Sequence, residues 1–141
     1  MGAAVTFRRQ NLHPQGLSRR LVGGHLLYSP VVTLEDARLV FVSGLLARDS
    51  AGNIIGKGDM GAQIAQVGEN LRVALAAAGA TLADLVRTTT YVTDIDEFFG
   101  HVEVRQRYFG AALPTSTTVE VRRLSHPDFL VEVEAFAALP R

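Results

Sequence analysis

The sequence predicts an α+β domain, a single sheet carrying two helices on one face, and three observations predict it. Residues Pro114 to Val121 and Leu130 to Ala137 each alternate with period two, as half-buried strands do. Ile64, Val67, Leu71, Leu75 and Ala78 recur at spacings of three and four, which lays one apolar stripe along a helix. The length, 141 residues, suits one domain over 1–141 with a core but no third layer. Two amphipathic helices cover one face of one sheet, so the other face is expected to find its cover in another subunit.

The elements follow in order. Residues 1–20, with Arg8, Arg9, Arg19 and Arg20, make a basic segment expected to be a partly mobile arm. Leu21-Val22 and Leu26-Leu27 read as short strand pieces around Gly23-Gly24, and Arg38 to Val42 as a buried strand ending at Ser43-Gly44. Asp49 to Asn53 is a turn by composition, with one more strand possible near Ile54. A helix is expected from about Asp59 to Ala78, stopped by Gly79 in the left-handed conformation. Thr81 and Asp84 have capping-box spacing. Leu85 to Thr93 is β-branched and reads as a strand. Asp94 or Asp96 caps a second helix with stripe Ile95, Phe98, Phe99, Val102 and Phe109, closed by Gly110. The last two strands are expected to form a pair through the turn Ser125 to Asp128.

In the last strand Val131, Val133, Ala135 and Ala137 share one face, and Glu132 and Glu134 share the other with Leu130 and Phe136. In the strand before it Val119 and Val121 point one way, and Ser116, Thr118 and Glu120 the other. Paired, the two strands would gather carboxylates and hydroxyls on one mixed face. A strand carboxylate between apolar neighbours suits general acid/base work; a solvated sheet face is the alternative.

Composition narrows the partners. Fourteen basic and fourteen acidic residues give zero formal charge, interspersed along the chain, so no nucleic acid or anionic membrane partner is expected. Cysteine is absent, which removes disulfides, thiolate nucleophiles and thiolate metal sites and fits a cytoplasmic location. No long apolar run opens the chain, so neither a signal peptide nor a membrane span is expected. The four histidines, His13, His25, His101 and His126, lack metal-ligand spacing, and Gly56-Lys57-Gly58 is only a weak anion-site signal beside a plain turn.

An ordered set of landmarks carries a resemblance over about Leu26 to Ala138. They are Phe41-Val-Ser-Gly44, Gly52, Gln63, Asn70-Leu71, Ala77 to Val86, Thr88-Thr89, Tyr91 to Asp94, Phe98, Tyr108-Phe109, Pro114, Thr117, Val119, Val121, Leu124 and Val131 to Ala137. In these the chain resembles the Rid, or YjgF-like, family of reactive intermediate (imine/enamine) deaminases. The resemblance implies a chorismate-mutase-like α+β subunit, three of which pack into a trimeric barrel with a ligand cleft at each interface. It implies hydrolysis of imines or enamines of 2-oxo acids, with no metal or organic cofactor. It places the water-positioning glutamate on Glu132 and the serine-glycine pair on Ser43 and Gly44. The cleft tyrosine falls on Tyr28, although the following loop, through Glu35-Asp36, is longer than usual, and a small cleft residue falls on Thr118.

One departure bears on function. Ser116 stands where the family carries a carboxylate-gripping arginine, and a hydroxyl cannot make the bidentate pair that guanidinium makes. Standard 2-imino-acid deamination is therefore the weaker expectation, unless Arg105 or an arginine of the arm reaches the cleft. The expected function is a Rid-type hydrolase of an imine, enamine or related activated carbonyl derivative; the alternative is a non-catalytic trimer that binds a metabolite or protein. RNA cleavage, attributed to some members, finds no basic track beyond the arm.

Overall fold

The computed structural model describes residues 6–141. Its main sheet has four strands in the order β3-β6-β4-β5: β3 is Ala37–Leu45, β6 Val131–Pro140, β4 Leu85–Val92 and β5 Thr115–Glu120. Helices α1 (Met60–Ala77), α2 (Ile95–Gly100) and α3 (Val102–Phe109) complete this layer of the chain. Two further strands, β1 (Arg8–Leu12) and β2 (Val31–Glu35), pair antiparallel as a separate small sheet.

The long helix is set by its ends and its stripe. Asp59 caps it, its Oδ1 accepting from the Ala62 amide (3.0 Å), and Gly79 leaves it at φ +76°. Met60, Ile64, Val67, Leu71 and Leu75 are buried against the sheet. Gly68 is required because the Tyr108 ring lies where a Cβ would stand. The fully buried Gln63 serves as a backbone surrogate: its Nε2 donates to Asp128 O (2.8 Å), and its Oε1 accepts from Leu130 N (2.8 Å). That clamp fixes where β6 begins.

The core lies between α1 and the inner face of β6, where Val131, Val133, Ala135 and Ala137 are each at most 3% exposed. The outer face carries Leu39, Phe41 and Phe136, which are exposed, and Phe41 and Phe136 stack edge to face with centroids 4.9 Å apart. An apolar patch of this kind on an open sheet marks a surface that packs on something else.

Four expectations are corrected. The last two strands are not a pair: β4 lies between them, antiparallel to β6 and parallel to β5. The reason lies in β4, whose Leu85, Val86, Thr88, Thr90 and Val92 are buried, so it takes a central place and leaves wetter β5 at the edge. The second helix is two, broken at His101 (φ −97°, ψ +57°). Around Gly23-Gly24 there is only an isolated bridge, Val22 to His25, and near Ile54 another, Arg48 to Ile54. Finally, Arg8–Leu12 of the arm is a strand, and the long segment after Tyr28 is its partner. Arg9 and Asn11 bolt this small sheet to the body, donating to the carbonyls of Ala112 (2.6 and 3.1 Å) and, from Asn11, Leu113 (3.0 Å).

Candidate functional site

Two clusters of polar side chains emerge, on opposite faces of the sheet and toward opposite edges. The first is acidic. Val42 pairs with Ala135 and Leu45 with Val133, so Ser43 and Gly44 form a bulge in β3 opposite Glu134. The bulge brings the backbone of Gly44 under Glu132: a Cβ at this position would run into the Glu132 carboxylate and push that side chain aside. The structure thus brings Glu132, Ser43 and Gly44 together.

Glu132 is half-buried, and no hydrogen bond among the described residues ties its carboxylate down. Burial, and secondly the negative charge of Glu134, hold its pKa above the ordinary carboxylate range. Glu134 differs: the Tyr91 hydroxyl donates to its Oε1 (2.7 Å), and that bond first of all raises the tyrosine's own pKa. On one strand, two residues apart, one carboxylate is free and proton-hungry while the other is engaged. Tyr91 was legible as a strand residue only; its place opposite Glu132 depends on the β4-β6 pairing.

The second cluster is basic and hydroxylic. Ser116 pairs with Thr88 and Thr118 with Thr90, and Thr90 pairs on its other side with Val133. Ser116 and Thr118 therefore share the helix-side face of Val133, not the face of Glu132, which corrects the expectation of one mixed face. They line a cavity of about 280 Å³ with Tyr28, Phe99, Arg105 and Arg20. The Tyr28 hydroxyl accepts from the Arg20 amide (3.2 Å), which pins the segment that carries Arg20. Arg105 enters from α3, and its guanidinium sits 4.4 Å from the Phe98 ring centroid. The apolar-stripe reading of 95–109 passed over it, although Arg105 follows Val102 by three residues and Phe98 by seven.

The sequence-predicted residues thus fall into two groups, Glu132 with Ser43 and Gly44, and Tyr28 with Ser116 and Thr118, which one protomer does not join. Among the described residues, no cluster of three or more His, Asp or Glu side chains could hold a metal ion, and no helix is long and apolar enough to cross a membrane.

Known proteins share this fold. The family model described as Endoribonuclease L-PSP matches residues 25–139. A RutC family protein of Pyrococcus abyssi is 41% identical over 104 residues, covering 74% of this chain and 81% of its own. The structure of YyfB from Yersinia pestis, of the Rid family, superposes with a TM-score of 0.82 at 30% identity, covering 93% of this chain and 98% of that one. Escherichia coli TdcF, whose structure holds bound serine, superposes at 0.64 with 30% identity, covering 72% and 80% respectively. The order of strands, the bulge at Ser43-Gly44 and these matches lead to one conclusion: the chain belongs to the Endoribonuclease L-PSP family, the YjgF-like or Rid proteins.

Proposed function

We propose that the protein is a Rid-type small-molecule hydrolase that opens an imine, an enamine or a related activated carbonyl derivative in clefts between the subunits of a homotrimer. The observation that carries this reading is Glu132: a carboxylate with a raised pKa, resting over Gly44, with no partner of its own among the described residues. A raised pKa makes the ionised carboxylate a stronger base toward water than an ordinary glutamate.

The chemistry follows from the residues. Water attacks the carbon of the C=N bond while Glu132 takes one of its protons. The tetrahedral carbinolamine, formed from the protonated imine, then expels its nitrogen as ammonia carrying the proton that Glu132 returns, while the hydroxyl proton passes to solvent and the carbon becomes a carbonyl. The Ser43 hydroxyl, next in the chain to Gly44 on the bulge, would hold a polar group of the same substrate. The second cluster supplies cations and hydroxyls from the other edge.

The division of the site between two edges supports a ring assembly. A head-to-tail contact, repeated with closure, sets the β3 edge of one copy against the β5 edge of the next and buries Leu39, Phe41 and Phe136 inside. The bound serine of TdcF supports an amino-acid-like ligand in such a cleft. RNA cleavage, which the family description names, finds little support in a chain with equal numbers of acidic and basic residues.

Light scattering at micromolar concentration is expected to give the trimer mass, and ammonia release from enzymatically generated 2-iminobutyrate or 2-aminoacrylate tests the chemistry. A stable monomer, or ammonia release that Glu132→Gln leaves unchanged, sinks this reading.

A further inference from the structure

The cavity beside α3 holds a charge imbalance that hydrolysis itself does not require. Arg105 is 9% exposed, and its Nη1 meets no hydrogen-bond partner among the described residues. A buried guanidinium without an anion is costly. Burial, and secondly the nearby Arg20, lower its pKa to about 10, so it remains a cation at neutral pH. Phe99 gathers both cations: the guanidinium carbons of Arg105 and Arg20 lie 5.0 and 5.1 Å from its ring centroid. Arg20 is exposed at the mouth, whereas Arg105 is deep. No acidic side chain lines the cavity; Tyr28, Ser116 and Thr118 contribute hydroxyls instead.

Two guanidiniums at different depths around one cavity that no carboxylate lines can receive two negative charges. We propose that Arg105 and Arg20 together receive a dicarboxylate, so that the substrate is an imine or enamine of a 2-oxo acid whose side chain ends in a second carboxylate. Arg105 holds the side-chain carboxylate at depth. Arg20, at the mouth, holds the carboxylate next to the C=N carbon and leaves that carbon toward the neighbouring copy's acidic edge. Ser116 matters here by being small, since its short side chain leaves the floor of the cavity open for the substrate chain. The proposal rests on the hydrolytic reading for its reaction but not for its binding.

The test is calorimetric titration of the intact protein with 2-oxoglutarate and with 2-oxopentanoate, acids of equal chain length and different charge. The dicarboxylate is expected to bind about tenfold tighter or more, the scale of a charge-assisted hydrogen bond pair. Arg105→Met is expected to erase that preference while 2-oxopentanoate still binds. Arg20→Gln, at an exposed position, is expected to weaken both acids. Equal binding of the two acids by the unaltered protein overturns the proposal, as does an undiminished preference in Arg105→Met or no binding of either acid. Preference for 2-oxoglutarate without ammonia release from any imine would instead leave this proposal standing and remove the hydrolytic one.

Discussion

Along the β3 edge, Ser43, Gly44 and Glu132 sit on a bulged strand pair with two carboxylates, and the nearest cation, Arg87, acts on Tyr91 from the neighbouring strand. Along the β5 edge, Arg105 and Arg20 face Ser116 and Thr118 with no carboxylate in the lining. The acidic edge is held by backbone pairing, so its geometry is stiff. The basic edge is held by side-chain stacking on Phe98 and Phe99, and by a segment pinned through the Tyr28 hydroxyl. The difference teaches how the two tasks of the proposed hydrolase would be divided. Proton transfer demands a group placed to within a fraction of an ångström, and a sheet provides that. Recognition of charge tolerates a longer reach, and arginines on a short helix and a loop provide it.

The comparison can be broken most sharply at Glu132. Glu132→Gln keeps shape but accepts no proton, and turnover is expected to fall about a hundredfold or more while ligand affinity at the basic edge stays. Steady-state rates beside calorimetry on the same variant separate the two. Next is complementation. Glu132→Gln and Arg105→Met homotrimers are each expected to be weak on a dicarboxylate substrate. Mixed trimers from co-refolded chains should recover about a quarter of the wild-type sites if, as proposed, each cleft takes its two edges from different copies. No recovery would mean that one protomer supplies both edges.

A smaller effect lies in pH. Glu132 is a base only when ionised, so rate is expected to climb as pH rises through a value above the ordinary carboxylate range. The sign for stability is opposite: an acid with a raised folded-state pKa favours the fold when protonated. Its contribution is full below the ordinary glutamate value and is lost as pH rises through the raised one. Denaturation followed across that interval should show this slope in the wild type and not in Glu132→Gln. The smallest expected effect is a gain. Arg105→Met removes an unpaired buried cation and should raise the melting temperature by a few degrees, about 1 kcal/mol or so; a fall would show that stacking on Phe98 outweighs the burial cost.

Local chemistry made much of the fold legible. The α1 boundaries follow from Asp59 and Gly79, the turn at Leu82–Asp84 from Thr81 and Asp84, and β4 from its β-branched run. The alternation in β6 correctly separated Val131 and Val133 from Glu132 and Glu134. What stayed hidden was long-range. Period two states which residues share a face of one strand, but the insertion of β4 between β5 and β6 decides which faces of two strands coincide. That single fact moved Ser116 and Thr118 away from Glu132. Arg105 was legible as an arginine able to reach the cleft, but its depth was hidden because a hydrophobic pattern counts apolar residues, and a buried cation on the same stripe leaves a gap in it.

The small sheet of β1 and β2 has a consequence for how such proteins diversify. Arg20 precedes residue 25, where the family match begins, while Glu132, Ser43 and Gly44 lie inside it. The arm strand docks on the carbonyls of Ala112 and Leu113, just ahead of the strand carrying Ser116 and Thr118. If Arg20 serves selectivity as proposed, a change in the arm strand would re-aim the outer cation and leave the residues of the bulge in place, so that selectivity would be adjustable apart from reactivity.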